Sequence, residues 1–532
     1  MAVSSHLLRA AAVAAVTVAC CASSGALAEE SLKSEMGIIN SKGRVFLDPS
    51  VQHIPLDPTK MQLRPPPPRV PERFDMFVGL SVFRDGYRCA KTIFTGLKRA
   101  KNRGQIFFGV VDQVNPGDDR CVFEYCKMAA EEWPELGECP YRDQLRFDEH
   151  LADDSRGPTL ARHYQQKLIR NEEFCLQLDG HSIFTNNWDV ALLAEWKRVN
   201  NEMAVLSTYL HHIHDFVKEN GDNKPPNSYP HLCTTIRGGN GCVRNEGASM
   251  ISGSKFPQLS ALWGAGLSFS KCHAERRVPI DSHTLWMFDG EEFLRASHLW
   301  TNGYDMYSPS ELGSVVYHNY SKVPARFENV KVDQKQKKVE TEMGINRFNL
   351  IVGKPFKGNV DTFEIDVYKF GKVRTFQQYL QFSGVTFEEG KNDTDSCNQL
   401  HWVPYSDPKE VEEILGGGWT LYPKTEKPKA IDPPIPQVRD GKNPTVTDEP
   451  EDATAQHAAD AHADTGAGGG EPILNPKFRQ EMADKLTQGA SSGSVWLFLF
   501  VVVALLFVMI SNDGVSRGIR RSFRMKTSAS SK

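Results

Sequence analysis

Asp179-Gly180-His181 close the apolar run EFCLQL. A carboxylate and an imidazole one residue apart, at a strand-to-loop junction, can face a common point. Together they offer one oxygen and one nitrogen ligand to a divalent cation. Alone the pair is weak evidence, because an Asp capping a turn beside a solvent-facing His reads the same way. A second strand-like run at 314–320, SVVYHNY, carries His318. Three ligands from Asp179, His181 and His318 would leave positions open for a substrate phosphate. Mn²⁺ or Mg²⁺ there would neutralise charge developing on a diphosphate leaving group, as transfer from a nucleotide sugar requires. Zinc-assisted hydrolysis is the competing use of these ligand types.

The next carboxylates are Glu291 and Glu292 in Asp289-Gly290-Glu291-Glu292, just ahead of the helical run FLRASHLW. They favour the helix dipole, or act catalytically if the fold brings them beside the metal ligands. Gly264 and Gly266 in WGAG allow backbone to approach a ligand closely, or make a plain turn. Arg84 and Asp85 follow the first strand, and Asp112 and Gln113 end the second, where a nucleotide base and ribose sit in a doubly wound fold. Arg156 and Arg162 precede the Asp-x-His strand and suit either a phosphate or surface carboxylates. His211, His212 and His214 in YLHHIHDF read as a solvated helix end or turn rather than as ligands.

These residues need elements to carry them. FDMFVGLSVF and QIFFGVVDQ are apolar runs of strand length, of the kind buried on both faces of a parallel sheet. Between them Ala90, Ile93, Phe94 and Leu97 recur at helical spacing. CVFEYCKMAAEEW, GPTLARHYQQKLIR, EFCLQLDGHSIF, WDVALLAEWKRVN and AVLSTYLHH continue the alternation. The expected fold is α/β: a mostly parallel open sheet flanked by helices, with ligands beyond the carboxyl ends of its strands.

The 532 residues divide unevenly. Residues 1–28 read as a signal peptide ending in Ala26-Leu27-Ala28, and 29–73 as an irregular proline-rich stem. Residues 74–325 form the catalytic domain, and 326–423 a mixed α+β extension of it. Residues 424–494 read as a disordered stalk, 495–511 as a single transmembrane helix, and 512–532 as a basic tail. The positive-inside rule makes that tail cytosolic and the catalytic domain lumenal, in the ER or Golgi membrane. Nine cysteines follow the signal, an odd number whose pairing spacing alone does not assign. Sequons at Asn319 and Asn392 are open to glycosylation in that topology. With 62 Lys+Arg against 66 Asp+Glu, the formal charge of −4 gives no reason to expect a nucleic-acid partner.

The ordered blocks MFVGLSVFRDGYRCAKTI, QIFFGVVDQ, GPTLARHYQQKLIRNEEFCLQLDGHSIFTNNWD, LWGAGLSFS, FDGEEFLRASHLWTNGYDMYSP and VVYHNY together resemble the polypeptide N-acetylglucosaminyltransferases, glycosyltransferase family 60. The resemblance covers roughly residues 74–387. It implies a GT-A fold, a UDP-GlcNAc donor, a divalent cation, and retaining transfer to Ser, Thr or hydroxyproline hydroxyls of a polypeptide acceptor. Carried over by residue, it makes Asp179, His181 and His318 metal ligands, Glu291 and Glu292 the acidic pair near donor sugar and acceptor, and Arg84 and Asp85 part of the donor site. Asp112, Arg162, Gly264 and Gly266 complete the expected donor-binding set. Gly180 stands where the family usually has serine, and Phe83 where tyrosine is common. The rival readings are a non-catalytic lumenal glycan- or protein-binding protein of the same fold, a transferase using another UDP-hexosamine, and a metal hydrolase.

Overall fold

The computed structural model describes residues 36–40, 43–214, 216–322 and 324–422. The chain opens with β1 (Gly37–Asn40) and β2 (Gly43–Phe46). It continues through β3 (Met76–Phe83), α1 (Gly86–Arg99), β4 (Ile106–Val114), α2 (Cys121–Glu132), β5 (Leu145–Leu151), α3 (Pro158–Gln166) and β6 (Phe174–Asp179). Next come β7 (Ser182–Phe184), α4 (Trp188–Val199), β8 (Ala204–Thr208), β9 (Ser228–His231), β10 (Thr235–Arg237), β11 (Val243–Asn245), β12 (Ser249–Ser252) and β13 (Gln258–Ser260). The remainder is β14 (Leu267–Lys271), α5 (Cys272–Arg277), α6 (Glu291–Thr301), β15 (Asp305–Ser308), β16 (Val316–His318), α7 (Gln334–Val352), α8 (Ile365–Tyr368), α9 (Phe376–Ser383) and α10 (Lys409–Ile414).

The central sheet has eight strands in the order β13-β15-β8-β14-β6-β3-β4-β5. Its pairs β6–β3, β3–β4 and β4–β5 are parallel, and the near-continuous burial of β3, β4 and β6 is what a sheet covered on both faces imposes, while β5 at the edge is only half-buried. The α1 stripe Cys89, Ala90, Ile93 and Leu97 is fully buried against this sheet, in one core with Val78, Leu80, Phe108 and Val110. The strand ends line up: Asp179 sits opposite Ser81, and Asp112 opposite Val82.

Four expectations need correction. The sheet is mixed rather than mostly parallel. β14 runs antiparallel to both β6 and β8, and β13 antiparallel to β15, while β8 and β15 are parallel. A five-residue strand buried on both faces carries no sequence mark of its direction. Second, the supposedly irregular stem contributes β1 and β2 to a four-stranded antiparallel sheet in the order β2-β1-β12-β9. Third, the extension is helical with no strand among its described residues. Phe348, Val373, Tyr379, Trp402 and Tyr405 share a core with Phe293, Trp300 and Met306, so it packs on α6 and β15. The expected transmembrane helix is also not sustained: no helix among the described residues is long and apolar enough to cross a membrane. Residues 495–511, like the expected signal peptide, stalk and tail, lie outside the described residues.

Eight of the nine cysteines pair, as Cys89–Cys121, Cys126–Cys139, Cys175–Cys272 and Cys233–Cys397, leaving Cys242 free and buried.

The turn after β6 explains the glycine between Asp179 and His181. A Cβ on Gly180 would lie 2.6 Å from Val82 Cγ2, well inside contact distance. Gly180→Ser is therefore expected to lower stability by about 1–3 kcal/mol through overpacking, and Val82→Ala in the same chain to restore most of it. Thermal melts of the three variants check this; a Gly180→Ser protein melting with the wild type would show that the turn accepts a Cβ.

Candidate metal centre and active site

Asp179 is the last residue of β6, and His181 follows in the turn to β7. β7 pairs antiparallel with β16 in a register that sets Ser182 opposite His318. This pairing, across more than a hundred residues of chain, carries His318 to the Asp-x-His turn. The site is fixed on two further sides. Thr92 Oγ1 on α1 donates to the Ser182 carbonyl at 2.9 Å and accepts the Ser182 N–H at 2.9 Å. The Asn319 N–H donates to the His181 carbonyl at 2.9 Å.

One ligand atom from each of Asp179, His181 and His318 lies within 4.8 Å of the others. His318 Nε2 is 3.1 Å from Asp179 Oδ2, and the two imidazole centroids are 4.5 Å apart. The donor set suits a divalent cation: one carboxylate oxygen and two imidazole nitrogens. His318 Nδ1 is buried with no hydrogen-bond partner, an orphaned polar atom that a bound ion or its water would satisfy. Loss of solvent opposes ionisation of Asp179, but His318, His181 and Arg162 outweigh it and hold the carboxyl at about 2. Burial pushes His181 down to about 4, against the pull of Asp179. At neutral pH the pair is thus a carboxylate and a neutral imidazole, the protonation states in which both act as ligands.

Arg162, on α3, couples this centre to the acidic pair. Its guanidinium lies 3.6 Å from Asp179 Oδ1 on one side and makes a close ion pair with Glu291 on the other. The Gly290 φ of 111° is a left-handed conformation that glycine adopts without strain, and it starts α6 with Glu291 as the first helical residue. Burial raises Glu291 against the pull of Arg162. Glu292 turns the other way. It accepts the Tyr209 hydroxyl at 2.5 Å, Asn245 Nδ2 at 3.0 Å and the Ala265 N–H at 2.9 Å. Burial pushes its carboxyl up to about 7, only partly offset by these donors.

The expected donor-binding residues separate into two groups. Asp85 belongs to the centre, 3.6 Å from His181 Nδ1 and held by Arg88 Nε at 2.7 Å. Asp112 stands at the same sheet edge. Its Oδ2 accepts the Cys121 N–H at the start of α2 at 2.9 Å, its Oδ1 is buried without a partner, and burial raises it to about 6. Arg84 does not point to the centre but forks onto Asp118 with both bonds at 2.7 Å. Arg162 is occupied by carboxylates rather than left free for phosphate. Gly264 and Gly266 pack on their own chain: Gly264 is bonded to Ser207 Oγ at 2.9 Å, and a Cβ on Gly266 would sit 3.4 Å from the Thr208 carbonyl. Their role is to deliver the Ala265 N–H to Glu292. The histidines of YLHHIHDF are no free turn, because the His318 N–H donates to the His211 carbonyl at 2.9 Å and His212 bridges to His318. Sequence reasoning missed Thr92, Tyr209 and Asn245, for which no motif or spacing gives a signal.

The family model described as Glycosyltransferase (GlcNAc) matches residues 75–389. No curated protein matches the chain. Among solved structures, GalNAc-T7 with UDP, GalNAc and Mn²⁺ aligns at 13% identity and TM-score 0.39 over 59% of this chain and 57% of that one. TarS residues 1–349 of S. aureus with UDP-GlcNAc aligns at 13% identity and TM-score 0.32, over 55% and 69% respectively. The mannosyltransferase PcManGT from Pyrobaculum calidifontis with GDP-Man and Mn²⁺ aligns at 12% identity and TM-score 0.31, over 57% and 70%.

The environment of Glu292 sets a pH dependence of stability. Near pH 4 both folded and unfolded chains hold the proton on this carboxyl. As pH rises from about 4.5 toward about 7 the unfolded chain releases it first, so the folded state loses stability through that window and levels off above it. Glu292→Gln removes this contribution. The wild-type melting temperature is expected to fall between pH 5 and pH 8 by roughly 3–5 °C more than that of the variant, measured by scanning calorimetry. Parallel profiles would show that Glu292 ionises normally.

Proposed function

The chain belongs to the GlcNAc glycosyltransferase family, and from that premise we propose that it moves GlcNAc from UDP-GlcNAc to Ser, Thr or hydroxyproline hydroxyls of polypeptides, with retention at the anomeric carbon. The observation that carries the reading is the convergence of Asp179, His181 and His318 within 4.8 Å at the carboxyl edge of the sheet, inside the matched region. The choice of donor sugar, acceptor and stereochemistry is supported by the resemblance of the sequence blocks to glycosyltransferase family 60.

Asp179, His181 and His318 would hold Mn²⁺ or Mg²⁺, which supplies neutralisation of the charge that collects on the departing UDP. Asp179 is ionised and His181 neutral throughout the physiological range, so neither needs to lose a proton before binding a cation. Arg162 balances the charges of Asp179 and Glu291, and keeps both carboxylates from turning inward on each other. Glu292, held by Tyr209, Asn245 and the Ala265 N–H, stands near its midpoint at neutral pH and can keep or release a proton as the acceptor hydroxyl approaches. The acceptor attacks from the face that UDP leaves, and a UDP oxygen can take its proton, so no Ser-His-Asp set is required. Asp85 and Asp112, at neighbouring strand ends, complete the donor pocket. The four disulfides support action in an oxidising compartment, such as the lumen of the ER or Golgi.

Purified protein with Mn²⁺ and Thr-rich peptides is expected to release UDP from UDP-GlcNAc and to add one hexosamine mass to the peptide. UDP-GalNAc serves as the donor control. His318→Ala is expected to weaken Mn²⁺ binding, read as free-ion signal by paramagnetic resonance, at least tenfold, and to lower UDP release about a hundredfold. Absence of both donor binding and UDP release would overturn the reading, and Mn²⁺ affinity unchanged in His318→Ala would remove His318 from the ligand set.

A further inference from the structure

Just ahead of Glu291, among largely buried neighbours, one aromatic side chain faces outward. Phe288 is 61% exposed although its carbonyl accepts the Glu291 N–H, and its ring lies 6.5 Å from that of Phe327. Two residues earlier Trp286 holds φ at 62°, a left-handed conformation that a bulky L-residue adopts only when its surroundings enforce it. They do. The Trp286 N–H donates to the Arg156 carbonyl at 2.5 Å, its indole N–H donates to Glu340 at 2.7 Å, and Arg156 and Lys337 cover its ring at 5.3 and 4.5 Å. The other side of the strip starts at the metal ligands, where Tyr320 is 54% exposed with its ring 4.0 Å from His318.

Charge follows the same stretch. Residues 322–338 hold six basic side chains, Lys322, Arg326, Lys331, Lys335, Lys337 and Lys338, against the two acids Glu328 and Asp333. None of the six pairs with a carboxylate among the described residues. Lys337 instead donates to the Glu328 carbonyl at 2.6 Å, beside Phe327. A strip that is aromatic and cationic, and that runs from the third metal ligand to the acidic pair, has the chemistry to hold an extended anionic chain carrying an aromatic or apolar side chain.

We propose that Phe288, Phe327 and the basic segment 322–338 form the acceptor-docking surface, selecting polypeptides whose hydroxyl residue is flanked by acidic residues and an aromatic side chain. The proposal rests on the glycosyl-transfer reading and names its substrate class. An anionic bilayer shares the charge preference, but the strip joins the two sides of one site, which suits a chain threaded along it.

The test uses the full-length protein and fluorescein-labelled Thr peptides in three forms: acidic with Phe, acidic without Phe, and basic with Phe. Anisotropy is expected to show the acidic Phe peptide binding about tenfold more tightly than either other form. Phe288→Ala with Phe327→Ala should abolish the preference for Phe. Lys335→Glu with Lys338→Glu should weaken the acidic peptide about tenfold and raise the acceptor KM rather than the UDP-sugar KM. Equal binding of the three peptides, a rise confined to the UDP-sugar KM, or tighter binding to phosphatidylserine vesicles than to any peptide would each overturn the proposal. UDP-GlcNAc binding and UDP release with the Thr-rich peptides report separately on the transfer reading, so absence of both sinks that reading while direct peptide binding still decides this one.

Discussion

A buried guanidinium has to meet negative charge, and much of the site follows from where Arg162 finds it. The ion pair with Glu291 and the approach to Asp179 tie α3, the start of α6 and the end of β6 to one point. Removing the positive charge would leave two carboxylates facing each other in a poorly solvated place, where like charges are costly. The guanidinium is thus a structural requirement of the acidic pair before it is anything else. It also explains why the two glutamates diverge: Glu291 is committed to Arg162, whereas Glu292 is held by Tyr209, Asn245 and a backbone N–H, none of which carries a charge. Burial raises both carboxyls, and adjacent residues in one helical turn differ in what holds them, a cation for Glu291 and neutral donors for Glu292.

Much of this was legible because strand ends advertise themselves. An apolar run that stops at Asp-x-His declares both a buried strand and a polar edge, and the run carrying His318 has the same form. What brings them together was not legible. The pairing of Ser182 with His318 joins two three-residue strands too short to show a period. The direction of β14 was equally hidden, since LSFSK is buried on both faces and would read the same in either orientation. Glycine misled for a related reason: Gly264 and Gly266 looked like a ligand approach, yet a Cβ on Gly264 would meet Leu232 first, and both glycines pack against Thr208 and Tyr209.

Arg84 shows a different limit. An arginine beside the first strand end suits phosphate by type and position, but an aspartate only a turn beyond the next strand, Asp118, takes the Nε and Nη2 edge of its guanidinium. Residue type predicts what a side chain can bind, and its nearest competitor decides what it does bind. Where no carboxylate among the described residues takes the side chain, as for Lys335 and Lys338, the capacity remains available.

The placement of β14 and β16 also sets an order of assembly during synthesis. The parallel strands β3, β4, β5 and β6 lie within the first part of the fold and can associate as they emerge. The sheet cannot be completed until β14 inserts between β6 and β8, and β15 then closes on β8. Cys89–Cys121 and Cys126–Cys139 close loops within the early strands, whereas Cys175–Cys272 requires β14 to be in place and Cys233–Cys397 waits for the last helices. Oxidation therefore records progress along the chain. A polypeptide interrupted just before residue 318 holds all eight strands of the central sheet and three of the four cysteine pairs but only two of the three candidate cation ligands, so the candidate centre is completed only after the sheet is.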